Sequence, residues 1–510
     1  MSTGSGKSSY DIDSSEVRVH AVTNLEKDLS LWETMKIYRW ATFWSFVMCC
    51  TIIMDGYDGN MVPSFYALPV FQKKYGVQLP SGDWTIEAKW QTAFLVGVPI
   101  GRIIGGLGVA LLADKFGRKK VTIGSLACMI GITFLVFFAT GKEMLCAGWV
   151  ISGVIWGVFN TMAPTYVSEV CPIKLRSLLV AIINLSWVAG QFISTGVVTG
   201  TSTRTDDWAY RVPLAVQWAF PVILIPLLCF APESPWWHVR RGDIEKARNA
   251  LSRLADGSKI DLDAHIQHMI QTDNEEDKSG TFAEIFKGSD LHRTEICAMA
   301  YAIQPLSGAN IINFFAFFFQ LTGIPQDIIF KLTLGLTGLG FLATLLSSIP
   351  LARLGRRTVM LSGLFVLTVT LFAMGILGCF SSKGTNWATA ILLFVWTGTY
   401  DLSVGPVAFV IYAESSSVRL RSKSIAFASV ISNLVSLIFN IAVPYMLNEG
   451  EANMRGLVGF VYGPICVLCF IWVWFRLPEL KGLSYMEADR LFQGEKPEKL
   501  GEHSQDYGPV

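Results

Sequence analysis

The sequence predicts an all-α membrane protein with 12 transmembrane helices in two pseudo-symmetric six-helix bundles. Of its 510 residues, 52% are hydrophobic and 16% are charged, whereas about a quarter of the residues in soluble domains are charged. The chain contains twelve apolar stretches of about 20 residues, the length at which a helix crosses the hydrocarbon core of a bilayer. A short motif rich in Gly and Arg occurs once in each half, which indicates that one six-helix unit is used twice.

The N-terminal tail, residues 1–40, is polar and Ser-rich, and we expect it to be disordered and cytoplasmic. It does not have the pattern of a cleavable signal peptide, so the first span is expected to direct insertion. The first bundle covers residues 41–231 and the second covers residues 294–476. The predicted spans lie near residues 41–66, 89–113, 120–139, 145–167, 179–200, 213–231, 294–320, 327–352, 358–379, 387–413, 424–446 and 455–476.

Polar segments connect and follow the two bundles. In the linker, residues 232–293, apolar and charged residues alternate at helical spacing over residues 244–254, which predicts short helices. Residues 477–510 form a polar C-terminal tail. We expect the linker and both tails to lie in the cytoplasm.

The basic residues of the loops predict this orientation. An even number of spans places both termini on one side, and the short loops of that side contain an excess of basic residues, which is typical of the cytoplasmic face of a multi-pass membrane protein. We call this face the basic side. Its basic loop residues are Lys115, Arg118, Lys119, Lys120, Lys174, Arg176, Arg353, Arg356, Arg357, Arg419, Arg421 and Lys423.

The repeated motif occupies Leu112–Lys120 after the second span and Leu351–Arg357 after the eighth. A second pair of segments also matches in spacing, with Glu169–Arg176 after the fourth span and Glu414–Arg421 after the tenth. Acidic and basic groups at neighbouring helix ends can hold an inner gate closed until the helices slide apart. The alternative is that these charges only set the topology.

These motifs resemble the signature of the major facilitator superfamily. Pro232–Trp237 and Pro478–Gly482 resemble the two Pro-Glu-Ser/Thr motifs of its sugar porter family. Within that family the chain resembles fungal α-glucoside (maltose-type) permeases, from about residue 32 to about residue 492. The blocks that carry this resemblance are Met54–Asp58, Phe65–Gly76, Ser168–Pro172, Tyr400–Pro406, Pro444–Asn448 and Phe475–Glu479.

The resemblance implies a transporter that imports a disaccharide, such as maltose or a related α-glucoside, by proton symport and alternating access in a fungal plasma membrane. Its partners are then the sugar, protons and the lipid bilayer, and it is expected to act as a monomer, without a cofactor or nucleic acid. Two other functions stay open: a sugar sensor with little transport, and an uncoupled sugar uniporter. An enzyme is not expected, because the polar residues of the basic side form no recognisable nucleophile or metal set.

The candidate inner gate combines the repeated motifs with the acidic residues of the two Pro-Glu motifs. Ala352 stands where the first copy has Asp114, so we expect weaker ion pairs in the second copy. The candidate gate residues are Asp114, Arg118, Glu169, Arg176, Glu233, Arg356, Glu414, Arg421 and Glu479.

Four ionisable residues within the spans are candidates for proton coupling, because a charged group near the bilayer centre costs about 3 kcal/mol on insertion scales. They are Asp55, Asp58, Arg102 and Asp401. The resemblance associates the position of Asp58 with proton coupling and pairs it with an arginine in the fourth span.

That fourth-span arginine is absent, because Trp149 follows Gly148 at the corresponding place. We hypothesise that Arg102, in the second span, replaces it as the partner of Asp58 or Asp55. The alternatives are a fixed structural ion pair and an arginine that extends along a water-filled cleft. Asp401 either titrates as well or only bonds a neighbouring helix.

A sugar site requires amide groups that donate and accept hydrogen bonds, together with aromatic rings that face the sugar ring. The resemblance places such residues in the fifth, seventh, tenth and eleventh spans, although Pro305 replaces a second glutamine of the family pattern. The alternative for each amide is a hydrogen bond between helices. The candidate sugar-binding residues are Gln191, Gln304, Asn310, Asn313, Phe409 and Asn433.

Overall fold

The computed structural model describes residues 31–79, 82–256, 260–276, 282–312, 314–321, 324–380, 382–416, 420–448, 450–481 and 491–492. In the first half these residues form a series of long helices with one short hairpin. The elements are α1 (Leu31–Ile37), α2 (Arg39–Phe65), α3 (Pro69–Tyr75), β1 (Val77–Gln78), β2 (Trp84–Thr85), α4 (Ala88–Phe116), α5 (Arg118–Phe137), α6 (Lys142–Val170), α7 (Ile173–Thr201), α8 (Trp208–Val216) and α9 (Ala219–Phe230). The two strands pair antiparallel.

Three short helices follow on the polar linker, as its periodicity predicts. They are α10 (Pro235–Arg240), α11 (Ile244–Leu254) and α12 (Leu262–Glu276), and a 3₁₀ helix covers Phe282–Phe286. Ser234 caps α10 by accepting a hydrogen bond from the backbone of Trp237, and Pro235 occupies a position at the helix start where no backbone N–H is needed. Apolar side chains on the inner faces of α10, α11 and α12 pack into one small core.

The second half repeats the long-helix pattern with more interruptions. Its elements are α13 (Gly288–Leu306), α14 (Ala309–Ile312), α15 (Phe315–Leu321), α16 (Gln326–Leu346), α17 (Ser348–Arg353), α18 (Arg356–Gly378), α19 (Lys383–Leu402), α20 (Val404–Ser415), α21 (Arg421–Leu447), a 3₁₀ helix (Arg455–Val458) and α22 (Gly459–Arg476). The predicted tenth span thus forms α19 and α20, and the predicted sixth span forms α8 and α9.

Ten stretches of the described residues are long and apolar enough to cross a membrane. The first and seventh predicted spans are not among them, and each has a physical reason. In α2, Asp55 and Asp58 lower the apolar character of a helix of 27 residues. The seventh span is divided into α13, α14 and α15 around Gly308, whose φ of 102° ends the first of these helices.

The contacts between residues group the chain into two compact units. Unit 1 comprises Met1–Asp58, Ile100–Gly190 and Leu214–Lys278, and unit 2 comprises Gly59–Pro99, Gln191–Pro213 and Ser279–Val510. In unit 1, α4 and α6 cross closely at Gly157. A Cβ atom at this position would lie only 2.3 Å from the carbonyl oxygen of Arg102. This close crossing holds the polar residues of both helices near each other.

Candidate functional site

Asp55 forms an ion pair with Arg102 inside unit 1. The Asp55 side chain is 1% exposed and that of Arg102 is 26% exposed. Asn160 on α6 donates a second hydrogen bond to Asp55, with 2.8 Å between Nδ2 and Oδ2. Of the two partners that the sequence leaves open for Arg102, the structure therefore selects Asp55.

Asp58 lies one helical turn further along α2 and has different partners. Its carboxylate accepts one hydrogen bond from Gln217 Nε2 at 2.7 Å and another from the indole N–H of Trp156 at 3.0 Å. Gln217 lies at the junction of α8 and α9, and Trp156 lies on α6. Both donors are neutral, so among the described residues this buried carboxylate accepts hydrogen bonds from dipoles and forms no ion pair.

The two carboxylates therefore have different chemistry. A proton on Asp55 would leave the Arg102 charge without its ion-pair partner, whereas a proton on Asp58 removes no ion pair from its immediate surroundings. Sequence reasoning missed Trp156, Asn160 and Gln217. Their polar groups within apolar stretches were the available signal, but the chain separations of 98, 105 and 159 residues hide the pairings.

Asp401 lies near the end of α19, in unit 2, and is half-buried. One carboxylate oxygen lies 2.5 Å from where a Cβ atom on Gly340 would be, so the carboxylate packs against the backbone of α16. Among the described residues no side chain or backbone group forms a hydrogen bond with it.

Two of the predicted sugar-site amides join helices of unit 2. The Gln304 amide N–H donates to the carbonyl of Gly405 at 3.1 Å. Asn310 donates to the side-chain oxygen of Asn440 at 2.7 Å and to the carbonyl of Ser436 at 3.2 Å. These bonds use the N–H groups, and within the described part of the chain nothing donates to Gln304 Oε1 or Asn310 Oδ1.

The other predicted sugar-site residues take varied positions. Gln191 is buried on α7, and its backbone carbonyl accepts a hydrogen bond from Asn60 at 3.3 Å. Asn433 donates to the carbonyl of Ser429, one turn earlier in its own helix, at 2.9 Å. Asn313 lies outside the described residues. Sequence reasoning missed Asn60 and Asn440.

Phe409 is half-buried and belongs to a cluster of three rings. Its ring centroid lies 5.6 Å from that of Tyr301 and 5.8 Å from that of Tyr412, both in edge-to-face geometry. Tyr301 lies on α13, one turn before Gln304. The aromatic and amide groups thus occur together on α13 and α20, which is the combination a sugar requires.

The two sequence halves also contact each other within unit 2, through residues distant from the basic loops. Gln72 of α3 donates to the side-chain oxygen of Gln320 on α15 at 3.1 Å. Asn448, which follows α21, donates to the carbonyl of Ile86 at 2.9 Å. We call these four residues the outer contacts; the sequence did not predict them.

The first gate cluster lies in unit 1. Arg118 donates to Glu169 at 2.8 Å, and its contact with Asp114 is longer, at 3.4 Å. The carboxylate of Glu233 accepts hydrogen bonds from the backbone N–H groups at the start of α5, and burial raises the pKa of Glu233 above its usual value. Gly117 lies against this carboxylate, because a Cβ atom there would be 2.3 Å from Glu233 Oε2.

The second gate cluster, in unit 2, repeats this arrangement. Arg356 binds both oxygens of Glu414, at 2.9 and 3.0 Å. Glu479 accepts hydrogen bonds from the backbone N–H groups of Arg356 and Arg357, at the start of α18. The side chains of two further predicted gate residues, Arg176 and Arg421, lie outside the described residues.

In the second cluster Ala352 contributes no carboxylate, but the cost of that difference is small. The Asp114 side chain is 72% exposed, and exposed ion pairs contribute little. The bidentate contact of Arg356 is the better-formed pair. Among the described residues no group of three or more His, Cys, Asp or Glu side chains could hold a metal ion.

Comparisons with known proteins show the family of the chain. The family described as "Sugar (and other) transporter" matches residues 44–492. The General alpha-glucoside permease of Saccharomyces cerevisiae (strain ATCC 204508 / S288c) is 32% identical over 477 residues, which cover 92% of this chain and 77% of the permease. Maltose permease MAL31 of the same strain is 31% identical over 480 residues, covering 92% and 78% of the two chains.

Solved structures are similar in fold. The inward open conformation of the xylose transporter XylE from E. coli matches with a TM-score of 0.70 and 19% sequence identity, covering 89% of this chain and 100% of that one. The proton:xylose symporter XylE bound to 6-bromo-6-deoxy-D-glucose, a major facilitator superfamily protein, matches with a TM-score of 0.69 and 19% identity, over 89% and 99% of the chains. The predicted fold class is confirmed, and the predicted count of twelve spans is consistent with it.

Proposed function

The chain belongs to the sugar transporter family of the major facilitator superfamily, and on that premise we propose that it imports an α-glucoside disaccharide such as maltose by proton symport. The yeast relatives named above, an α-glucoside permease and a maltose permease, support this substrate class. We place the protein in the plasma membrane as a monomer, with both termini in the cytoplasm. In this proposal the sugar passes by alternating access between the two six-helix repeats.

The observation that carries proton coupling is the contrast between the two carboxylates of α2. Asp55 pairs with the guanidinium of Arg102, while the described residues that bond to Asp58 are the neutral donors Gln217 and Trp156. The Asp58 carboxylate accepts the hydrogen bonds of both Gln217 and Trp156. Protonation of this carboxylate therefore changes the hydrogen bonds between α2, α6 and the α8–α9 junction. A proton thereby biases the packing of these helices where Asp58, Trp156 and Gln217 meet in unit 1.

Sugar binding in the proposal uses the second half of the chain. Gln304 and Asn310 flank the break at Gly308, and both keep a side-chain oxygen available to accept a sugar hydroxyl. The ring of Phe409 supplies an apolar face. Because the break separates α13 from α14, binding at these residues can change the angle between the two helices and thereby the outer contacts.

An uncoupled uniporter is the second candidate, and a specific observation favours it. The ion pair of Asp55 and Arg102 already neutralises both charges within the protein, and Trp149 replaces the family arginine. In this case Asp58 only forms structural hydrogen bonds between helices. A sugar sensor with little flux is the third candidate, favoured by Pro305 in place of the second family glutamine.

Uptake by purified protein in liposomes tests the proposal. We expect radiolabelled maltose to accumulate above its external concentration when the outside is acidic, and only to equilibrate without a gradient. Equilibration under both conditions would identify a uniporter, and binding without uptake would identify a sensor.

A matched pair of variants tests the sugar site. Gln304→Ala should raise the KM for maltose about tenfold, since a lost hydrogen bond to substrate is worth about 1.5 kcal/mol. Gln267→Ala removes an exposed amide on α12 and should leave the KM unchanged. Equal KM values for both variants would remove Gln304 from the site.

A further inference from the structure

A surface cavity of about 370 Å³ lies in unit 2, where α13 begins and α22 ends. Its lining combines basic groups with large aromatic side chains. The residues relevant to its chemistry are His292, Arg357, Trp474, Phe475, Arg476 and Phe492. The sugar site and the ion pairs of the gate clusters use none of these side chains.

Both arginines of the cavity have N–H groups left to donate. Arg357 donates Nη2 to the carbonyl of Trp474 at 2.5 Å, and its Nη1 takes part in none of the described hydrogen bonds. Arg476 binds Glu295 through Nε and Nη2, and Nη1 takes part in none of the described hydrogen bonds. Two guanidinium groups with unused donors form a suitable site for a phosphate.

The two carboxylates near the cavity already have hydrogen-bond partners. Glu295 accepts hydrogen bonds from Arg476 and from the indole N–H of Trp472, and it lies 3.5 Å from His292. Glu479 is bonded to the backbone N–H groups at the start of α18. The charge of Arg357 is therefore not neutralised by a side-chain carboxylate of the described residues, and the cavity is net basic.

The aromatic residues show which phosphate compound fits. Phe475 is 78% exposed and Trp474 is 53% exposed, directly beside the arginines at the end of an apolar helix. Exposed tryptophan at a span end is typical of the headgroup level, and an adjacent phenylalanine is compatible with acyl chains. A free phosphate would use the arginines but would leave these rings in water.

We propose that this cavity binds the headgroup phosphate of an anionic phospholipid from the leaflet on the basic side. Arg357 and Arg476 contact the phosphate, while Trp474 and Phe475 contact the glycerol and the first part of the acyl chains. Basic pockets between spans on the cytoplasmic side are suited to such headgroups. The bound lipid then contacts both the end of α22 and the start of α18.

Native mass spectrometry of the full chain in detergent tests this site, with phosphatidylserine, phosphatidylcholine and inorganic phosphate as separate probes. We expect Arg357→Gln to weaken phosphatidylserine binding about fivefold, the effect of one basic residue near an anionic surface. Arg353→Gln is the matched control, because it removes an exposed arginine on the same side but outside the cavity. Arg357→Lys keeps the positive charge but loses the planar guanidinium group, so it should weaken binding less than Arg357→Gln.

Phosphatidylcholine binding should not differ between the variants, and inorganic phosphate should not displace phosphatidylserine. The proposal is overturned if Arg357→Gln binds phosphatidylserine like the wild type, or if Arg353→Gln weakens it equally, which would indicate general surface attraction. Displacement of the lipid by inorganic phosphate would instead identify a site for a soluble anion. A thermal melt of each variant verifies that it is folded, so that a loss of binding reports on the cavity.

Discussion

The two halves of the chain carry the same basic-side motif but bury it to different degrees. In the first half the side chains of Arg118 and Glu169 are 4% and 10% exposed, whereas in the second half those of Arg356 and Glu414 are 19% and 33% exposed. The buried pair is the less complete one, because Arg118 Nε and Glu169 Oε2 have no partner among the described residues. Similar sequences thus produce one buried ion pair with unsatisfied groups and one bidentate pair near water.

The span interiors differ in a related way. The first half contains the buried ion pair of Asp55 and Arg102 with Asp58 beside it, whereas in the second half the neutral amides Asn310 and Asn440 connect the helices. We infer that the first half binds and releases the proton and that the second half binds the sugar. Matched substitutions, one in each half, can test this division.

The largest effect is expected for the carboxylates within the spans. Asp58→Asn should reduce proton-driven maltose accumulation in liposomes at least about tenfold, because a neutral amide cannot bind and release a proton. Exchange of labelled for unlabelled sugar, which needs no net proton movement, should continue. Asp401→Asn, the matched change in the second half, should reduce accumulation less, because no described hydrogen bond depends on that carboxylate.

Accumulation that survives in Asp58→Asn but disappears in Asp401→Asn would reverse the assignment of the halves. Loss of exchange in Asp58→Asn would show that this residue is needed for folding or sugar binding and not for coupling alone.

The next effect concerns the ion pairs of the two gate clusters. Glu169→Gln leaves the buried guanidinium of Arg118 with only its longer contact to the exposed Asp114 among the described residues and should destabilise the protein by about 3 kcal/mol. Glu414→Gln breaks a pair that water can reach and should cost at most about 1 kcal/mol. Thermal melts of both variants in the same detergent measure the difference, and equal shifts would show that burial does not separate the two copies.

Much of this arrangement could be predicted from the sequence. Apolar stretches of sufficient length, an even span count and a repeated motif are local signals, and they predict the twelve spans and the grouping of acidic and basic gate residues at span ends on one side. The grouping is predictable because span ends on one side are close together, whereas the specific pairs Arg118 with Glu169 and Arg356 with Glu414 are seen only in the structure.

Gly308 and Pro305 predict that the seventh span can bend, but its division into three helices and the partners of Asp58 could not be predicted in this way. Hydropathy treats α13, α14 and α15 as one apolar stretch and does not detect the positive φ of Gly308. Gln217 and Trp156 are distant from Asp58 in the chain, so the pairing depends on how the helices cross. The same limit applies to Arg102, for which the sequence allowed two partners.

A smaller effect is expected at the two carboxylates that cap helices. Glu233→Gln should cost about 1 kcal/mol, since the carboxylate accepts backbone hydrogen bonds at the positive end of α5 in a half-buried position. Glu479→Gln acts at the exposed start of α18 and should cost a few tenths of a kcal/mol. Thermal melts would contradict this order if the second variant were the less stable one.

The smallest effect expected is the contribution of Glu233 to the pH dependence of stability. Burial raises the folded-state pKa of Glu233 above its ordinary value of 4.5, so the folded protein binds this proton more tightly than the unfolded chain. Between the raised pKa and 4.5, the wild type should therefore gain stability relative to Glu233→Gln as the pH falls.

Asp207 provides a control of opposite sign, because its hydrogen bond with Lys74 holds the pKa of this carboxyl below its ordinary value of 3.8. The contribution of Asp207 is present above that value and is lost as the pH falls through the lowered pKa, so the wild type should lose stability relative to Asp207→Asn there. Differences in melting temperature between the wild type and each variant, recorded from pH 7 down to pH 3, separate the two signs. If both variants differ from the wild type in the same direction, the dependence comes from the net charge of the protein and not from the surroundings of Glu233.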